Sequence, residues 1–497
     1  MKGGFLSPAD VDLRNHECEY LVIGSGAGGS AAAYDLAQAG KNVIVVEEGP
    51  HYRTEDFTGE PSEMTAALYR DGGITPFWGK PPIAFVEGRC VGGGTTINGG
   101  LLWRTPDFVL KDWQKRFGLD GYSYDDLTPH FEKIEKMLQV GYLPEEFGNL
   151  DSEAYAEGAR KLGWNVVPVP RAGGQVCQNS NLCATGCPTG AKKSTTLTYL
   201  RDAIENGVTV FTGCKVTKII HKKGRISSVK AKIMEDGSTR EIDISVKNVI
   251  FAGGTIQTPF ILQRNNMSAV AGKSFQFHMN LKLVALFDRE INAENGTIFT
   301  QQVQEFLQDG FLFMASNFKK NYVSMALSHF GNHTINRVLE NDDKAGLFVA
   351  QIRPKSVGKI YAILANNPIA TYASKTEDHD LMKFALLKSC ELLFKSGAVE
   401  IFLPIAGTQP VKNYQAVEKT LEKFKAEDVE LVSVHAMSSC PMGIDQKSVV
   451  DMSGQIRGFS NAFIVDASVL PTNIGESPQG TIMAFAHEIM LRHLSVN

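Results

Sequence analysis

A glycine-rich turn near the N-terminus constrains the fold more than any other feature of this chain. Gly24, Gly26 and Gly29 form the pattern Gly-x-Gly-x-x-Gly, which directly follows the apolar run 20–23 and opens a helical stretch. A second apolar run over 42–46 comes after that stretch. A buried strand, a glycine turn, a helix and a second strand predict a βαβ unit at the start of a parallel sheet.

The same context predicts a dinucleotide site. Glycines permit a tight turn and a close backbone approach, and the N-terminus of the helix attracts a pyrophosphate. Glu47 stands 18 residues after Gly29, at the end of the second strand, where it can accept hydrogen bonds from ribose hydroxyls. The motif by itself does not choose between NAD and FAD.

Length and composition exclude several classes of protein. The 497 residues suffice for two or three domains, or for two interleaved ones, since single cores stop growing at roughly 250–300 residues. A net charge of -4 lacks the basic footprint of a nucleic-acid-binding protein. Apolar runs are shorter than the roughly 20 residues of a membrane span, and the N-terminal segment is unlike a signal peptide. We therefore predict a cytoplasmic protein, or one exported with a partner subunit, with no transmembrane segment.

Several later blocks of the sequence carry a family resemblance. They are 88–99 (GRCVGGGTTING), 252–262 (AGGTIQTPFIL), 272–278 (GKSFQFH), 435–443 (HAMSSCPMG), 449–451 (VVD) and 461–471 (NAFIVDASVLP). In composition, order and spacing these blocks resemble the glucose–methanol–choline (GMC) oxidoreductases. The resemblance implies FAD as cofactor and an enzyme that oxidises the CH–OH group of an alcohol or sugar by hydride transfer to flavin. Electrons would pass to an acceptor other than oxygen.

The resemblance also implies which residues hold FAD, besides the glycines of the first motif and Glu47. Gly93, Thr95 and Asn98 would pack against the flavin. Val216 would hold the adenine end through its backbone, and Asp466 would lie near the ribityl-pyrophosphate. Some family members attach FAD covalently through a histidine just before the signature asparagine. That position is occupied by isoleucine in this chain, which implies noncovalent FAD.

Two residues are the catalytic candidates that the resemblance implies. His435 would lie beside the flavin as a general base or as a hydrogen-bond partner of the substrate hydroxyl, and the ordinary pKa of imidazole suits either role. Ser477 stands where the family usually has a second histidine or an asparagine. A serine hydroxyl can orient a substrate, but it does not act as a base at neutral pH.

Three of the eight cysteines lie close together in the sequence. Cys177, Cys183 and Cys187 fall in a loop over 177–187 that is rich in Gly and Asn, and three thiols suit a [3Fe–4S] cluster. The segment resembles the one that carries such a cluster in bacterial sugar dehydrogenases of the family. A structural zinc or simple buried thiols fit as well, as in the related long-chain alcohol oxidases. A cluster would imply a cytochrome or another protein as electron acceptor.

The predicted fold class is α/β, with a Rossmann-like FAD-binding domain interleaved with an α+β substrate domain that contains an antiparallel sheet. The predicted FAD-binding domain comprises 16–105, 193–270 and 431–497, and the substrate domain comprises 106–192 and 271–430. Two other activities are compatible with the same resemblance. One is an alcohol oxidase that forms hydrogen peroxide, and the other is a flavin-containing lyase or decarboxylase.

Overall fold

The computed structural model describes residues 3–12, 15–235, 238–316, 319–363 and 367–496. The strands, in chain order, are β1 (Gly4–Leu6), β2 (His16–Ile23), β3 (Val43–Val46), β4 (Thr75–Trp78), β5 (Ile83–Phe85), β6 (Val140–Gly141), β7 (Val166–Pro168), β8 (Arg171–Ala172), β9 (Thr209–Phe211), β10 (Cys214–Lys222), β11 (Arg225–Glu235), β12 (Ser238–Phe251), β13 (Gln276–Phe277), β14 (Met279–Phe287), β15 (Gln301–Val303), β16 (Phe311–Ala315), β17 (Ala345–Ile352), β18 (Gly358–Tyr361), β19 (Ile369–Tyr372), β20 (Ala398–Phe402), β21 (Leu431–Ser433), β22 (Ala436–Met437) and β23 (Ala462–Ile464). The α-helices are α1 (Ala27–Gln38), α2 (Pro61–Leu68), α3 (Gly94–Ile97), α4 (Asp107–Phe117), α5 (Tyr124–Met137), α6 (Leu150–Lys161), α7 (Tyr199–Glu205), α8 (Gly254–Arg264), α9 (Lys320–Ala326), α10 (Asn332–Leu339), α11 (Thr376–Lys395), α12 (Tyr414–Leu421) and α13 (Gln479–Val496).

The first sheet contains the predicted βαβ unit. Its strand order is β1-β9-β3-β2-β12-β11-β10, with β23 beside β12. Strands β2 and β3 pair in parallel, from Tyr20 opposite Val43 to Ile23 opposite Val46, and α1 connects them. Continuous apolar runs in β2 and β3 bury side chains on both faces, as parallel strands covered by helices require. The Rossmann-like part of the predicted fold class is confirmed.

The second sheet is mainly antiparallel, and it confirms the other part of the prediction. Its strand order is β18-β19-β4-β5-β21-β14-β17-β16-β15-β7, with β20 beside β14. Strand β14 pairs antiparallel with β17 from Met279 opposite Ile352 to Leu286 opposite Ala345. Leucines of β14 at 281 and 283 enter a second apolar core, which also contains side chains of α6 and α11.

The chain passes between the two sheets more than once. Strand β3 belongs to the first sheet, β4, β5 and β7 belong to the second, and β9 returns to the first. The sheets are therefore interleaved along the sequence, and residues far apart in the chain meet where the sheets face a common cavity. Within the described ranges, no helix is long and apolar enough to cross a membrane.

Candidate active site

A cavity of about 1300 Å³ is lined by residues of both sheets. The lining includes the turn after β2 and β10 from the first sheet, here called the nucleotide end, and β14, β16 and β17 from the second sheet. The sequence-predicted residues that line it are Gly24, Gly26, Glu47, Gly93, Thr95, Asn98, Val216, His435, Asp466 and Ser477. Gly29 and the three clustered cysteines lie outside the lining.

The glycine turn has the geometry of a nucleotide cradle. Gly24 has φ +103°, a conformation that side chains with a Cβ rarely adopt. A Cβ on Gly28 would come within 1.9 Å of the carbonyl oxygen of Val465, so α1 packs directly against the chain after β23. A Cβ on Gly26, by contrast, would meet no atom within 4 Å. The turn is thus closed on its protein side and open on its cavity side, which fits the approach of a pyrophosphate.

Two buried carboxyl groups complete the nucleotide end of the cavity. Glu47 accepts hydrogen bonds from the Ser25 hydroxyl at 2.6 Å and from the Gly49 amide at 2.8 Å, which fixes its orientation. Asp466 accepts hydrogen bonds from the Gly254 amide at 2.9 Å and from the Thr258 hydroxyl at 2.5 Å. Burial raises the pKa of both carboxyls. Oriented acceptors beside an open glycine turn fit the hydroxyl-rich ribose and ribityl parts of FAD.

Residues of the signature block 88–99 form part of the cavity wall. Thr95 donates a hydrogen bond to the Gly92 carbonyl at 2.7 Å, which fixes the short helix α3. Asn98 donates to the side chain of Gln479 at 2.5 Å and accepts from the Gly100 amide at 3.0 Å. These bonds hold the Asn98 side chain between α3 and the start of α13.

His435 pairs with a second histidine that the sequence did not single out as a site residue. The Nδ1 atoms of His278 and His435 are 3.1 Å apart, and the His278 amide donates to the His435 carbonyl at 3.0 Å. The Gly475 amide donates to Nε2 of His278 at 3.0 Å. Burial lowers the pKa of His435 to about 4, and burial together with His435 lowers the pKa of His278 well below its ordinary value. Both rings are therefore neutral at pH 7.

These hydrogen bonds determine where the protons of the two rings lie. A backbone amide can only donate, so Nε2 of His278 accepts and its single proton resides on Nδ1. That proton is donated to Nδ1 of His435. Neutral His435 must then carry its own proton on Nε2, the ring nitrogen left for a ligand. The pair thus presents an N–H donor and not a free lone pair.

Ser477 lines the same cavity as His435, next to a buried acid. The carboxyl of Glu476 is 2% exposed and accepts hydrogen bonds from Gln302 at 2.6 Å and Gln304 at 2.8 Å. Burial raises the pKa of Glu476 to about 8, so it is mostly protonated at neutral pH. The segment that carries Ser477 is therefore fixed by uncharged hydrogen bonds to β15 and the residue after it.

A lysine that lines the cavity was also missed in the sequence. Lys282 lies on β14 and lines the cavity together with Asn280, Met314 and Val349. Its signal in the sequence is an alternation of polar and apolar residues at 280–283, within a strand whose remaining residues are all apolar. Burial lowers the pKa of Lys282 to about 8.

The structure offers no support for an iron–sulfur cluster at the three clustered cysteines, which stays a prediction. In the described part of the chain, no group of three or more His, Cys, Asp or Glu side chains is arranged to hold a metal ion. The hydrogen-bond partners of the thiols are Thr297 for Cys177 (3.2 Å), Arg171 for Cys183 (3.6 Å) and the Lys192 amide for Cys187 (3.5 Å). Each thiol thus has a separate protein partner in this structure.

Three family models match the chain. Two are described as GMC oxidoreductase, over residues 65–280 and 354–486, and the third as FAD binding domain, over 19–58. An uncharacterised GMC-type oxidoreductase of Sinorhizobium fredii is 31% identical, with 100% of this chain and 97% of the relative covered. A long-chain-alcohol oxidase of Arabidopsis thaliana is 26% identical, with 95% of this chain and 66% of the relative covered. The solved structure of pyridoxine 4-oxidase from Mesorbium loti has the same fold, with a TM-score of 0.75, 16% identity, and 96% and 99% of the two chains covered.

Proposed function

The chain belongs to the GMC oxidoreductase family, and from this premise we propose that it oxidises the CH–OH group of an alcohol held at His435. FAD, which the family match to an FAD binding domain supports, supplies the hydride acceptor when it is bound. The observation that carries the proposal is that His435 and Ser477 line the same cavity as the glycine turn after β2. The cofactor and the alcohol can therefore bind side by side in the same cavity.

Several residues are proposed to hold FAD. The open turn at Gly24, Gly26 and Gly29 would receive the pyrophosphate, with Glu47 at a ribose. The wall that includes Gly93, Thr95 and Asn98 would face the flavin, the Val216 backbone the adenine, and Asp466 the ribityl-pyrophosphate. Ile97 offers no nucleophilic atom, so the proposed FAD is noncovalent.

His435 is proposed to act as a hydrogen-bond donor to the alcohol oxygen. Its Nδ1 is engaged by His278, and the proton on Nε2 can stabilise the negative charge that develops on the oxygen as the hydroxyl proton leaves. The electron-rich oxygen then forms the carbonyl as the hydride leaves carbon. The hydroxyl proton, whose loss creates that negative charge, must go elsewhere, because neither nitrogen of His435 has a free lone pair in this arrangement. Water is the proposed acceptor, since Met325 and Val434 at the cavity rim are 52% and 47% exposed. Ser477 would orient the hydroxyl.

Two variants of His435 test the proposed donor role. We expect His435→Ala to slow anaerobic reduction of the flavin by primary alcohols and sugars about 10²- to 10³-fold, the usual effect of removing one oxyanion donor. His435→Asn keeps an N–H donor but offers no base, so it should retain most of the rate that alanine loses. Equal loss in both variants would assign His435 the base role, and unchanged rates in both would refute its part in catalysis.

An oxygen-using enzyme is a second candidate, and the similarity to the Arabidopsis thaliana long-chain-alcohol oxidase favours it. The prediction of an acceptor other than oxygen depended on an iron–sulfur relay, for which the described residues form no site. Mixing the alcohol-reduced enzyme with oxygen, and separately with an artificial quinone, distinguishes the two candidates. Rapid peroxide formation identifies an oxidase. Faster reoxidation by the quinone identifies a dehydrogenase.

A further inference from the structure

The cavity is lined by a half-buried lysine, Lys282, whose ammonium leaves most of its hydrogen-bonding capacity unused. An ammonium has three donors, and the hydrogen bond of Lys282 to a described residue is a 3.4 Å contact with the Ser316 hydroxyl. None of the ion pairs between described residues includes Lys282, and burial is the cause of its lowered pKa. A buried charge without a partner is costly, so proteins normally pair such groups. The acceptors that Lys282 requires can come from a ligand.

Lys192, which is buried, shows how a lysine ammonium is fully hydrogen-bonded in the same protein. Lys192 donates to three carbonyl oxygens, those of Thr96 at 2.7 Å, Asn98 at 2.8 Å and Cys183 at 2.6 Å. Those bonds join the cysteine loop to the signature block, and they use all three donors. Lys282 has no such structural bonds, although burial lowers the pKa of each lysine to about 8.

Lys282 lies on the strand that begins directly after His278, the partner of His435. Asn280 and Lys282 alternate along β14, so their side chains share a face of the sheet, and His278 directly precedes this strand. His278 contacts His435, whereas Lys282 lies opposite Val349, which in turn lies opposite Met314. At about 3.3 Å per residue, the Cα atoms of 278 and 282 are about 13 Å apart. Between the histidine pair and the ammonium the wall includes apolar side chains, among them Met314 and Val349.

We propose that Lys282 binds an anionic group of the substrate, and that the substrate is a hydroxy acid with an apolar stretch between its hydroxyl and its anion. This inference rests on the proposed function, because the hydroxyl end is the end held at His435. The ammonium binds the carboxylate, and Met314 and Val349 contact the intervening carbons. Asn280 lies on the same face of β14, two residues before Lys282 and therefore closer to the histidines. Its polar side chain contacts the part of the substrate nearest the hydroxyl.

Matched substrate series test the inference on the FAD-loaded enzyme. Anaerobic flavin reduction is measured with ω-hydroxyalkanoates of increasing length, with the ω-hydroxyalkanamides of the same lengths, and with the corresponding ω-hydroxyalkyl phosphates. The amides keep the shape and remove the charge. We expect the acids to exceed the amides about 10- to 100-fold in kcat/KM, the range for a hydrogen bond to a charged group. A preference for the phosphates over the carboxylates would also support the anion site and would assign it to phosphate.

The variant Lys282→Met removes the charge and keeps an unbranched side chain. Replacing a buried charge by an apolar residue of similar size is commonly neutral or stabilising, so the variant should fold, and its melting temperature checks this. The variant should lose the preference for acids over amides, because its KM for the acids rises. Its limiting rate with the amides should stay within about threefold of wild type. Lys388→Met is the control, since Lys388 pairs with Glu391 on α11 and does not line the cavity.

A binding measurement separates this inference from the proposed function. Hexanoate has no hydroxyl, and it should raise the melting temperature of the wild-type holoenzyme but not that of Lys282→Met. If acids and amides reduce the flavin equally well and Lys282→Met changes neither, the anion site is refuted and alcohol oxidation stands. If no member of any series and no neutral alcohol reduces the flavin, while hexanoate still stabilises the wild type alone, the proposed function fails and the anion site stands.

Discussion

Replacing Glu476 by glutamine should make the stability of this protein less sensitive to pH. The carboxyl is 2% exposed and hydrogen-bonded to two glutamine side chains, and burial raises its pKa from 4.5 to about 8. In the unfolded chain it ionises above its ordinary pKa, whereas in the folded protein it stays protonated until about pH 8. The stability that it contributes is therefore fully present below pH 4.5 and is lost as the pH rises towards 8.

The size of this effect follows from the two pKa values. They differ by 3.5, and each pKa unit corresponds to about 1.4 kcal/mol, so Glu476 should remove about 5 kcal/mol of unfolding free energy between pH 4.5 and 8. Glutamine has nearly the same shape, and its oxygen can accept the same hydrogen bonds from Gln302 and Gln304. Glu476→Gln should thus have stability close to wild type near pH 5 and exceed it by several kcal/mol, up to about 5, at pH 8.

The assay is urea unfolding of the FAD-saturated protein followed by tryptophan fluorescence, at several pH values between 5 and 8. Glu422→Gln, at an exposed position on the surface, is the control for a general change of charge. The stability curves of wild type and Glu476→Gln should diverge as the pH rises, and those of wild type and control should remain parallel. Parallel curves for Glu476→Gln would refute the assignment of a protonated carboxyl beside Ser477.

Further variants test the cofactor and substrate ends of the cavity. Acid precipitation should release all flavin into the supernatant, and flavin in the pellet would contradict noncovalent binding. Ser477→Asn should preserve or raise alcohol turnover, whereas complete loss would give Ser477 a different chemistry. Gly26→Ala should lower FAD content at an unchanged melting temperature of the apoprotein, because its Cβ points into open space. Gly28→Ala should lower both the FAD content and the melting temperature of the apoprotein, because its Cβ meets the Val465 carbonyl. Cys183→Ser should leave flavin reduction unchanged, and iron incorporation during anaerobic reconstitution of the wild type would restore the cluster hypothesis.

The parts of the fold that local sequence determines were predictable. The βαβ unit depends on the glycine turn and on apolar runs within a few residues of it, so the pattern alone locates it. The sequence also predicted that the second domain contains an antiparallel sheet. Its inner strands β4 and β5 were not identified, because they are short and their outer partners, β19 and β21, come from remote parts of the chain. The predicted domain boundaries and the roles of the individual site residues stay predictions.

The site was harder to predict because its geometry depends on distant pairs. His278 and His435 are 157 positions apart in sequence, and no local pattern shows that their rings meet or which nitrogen carries a proton. The three clustered cysteines, by contrast, are close in sequence, but closeness in sequence does not show which way each thiol points. The direction of each thiol depends on distant partners such as Thr297 and Arg171.

The contact of Gly28 with Val465 has a consequence for how the enzyme acquires its cofactor. The turn after β2 is made early in synthesis, yet its protein side is closed by the chain that follows β23, and Asp466 lines the same cavity. Because the ribosome makes residue 466 long after the turn, the nascent chain cannot form a complete flavin site until this later segment has also been made. Loading of the cofactor at the complete site must therefore follow synthesis of the segment after β23.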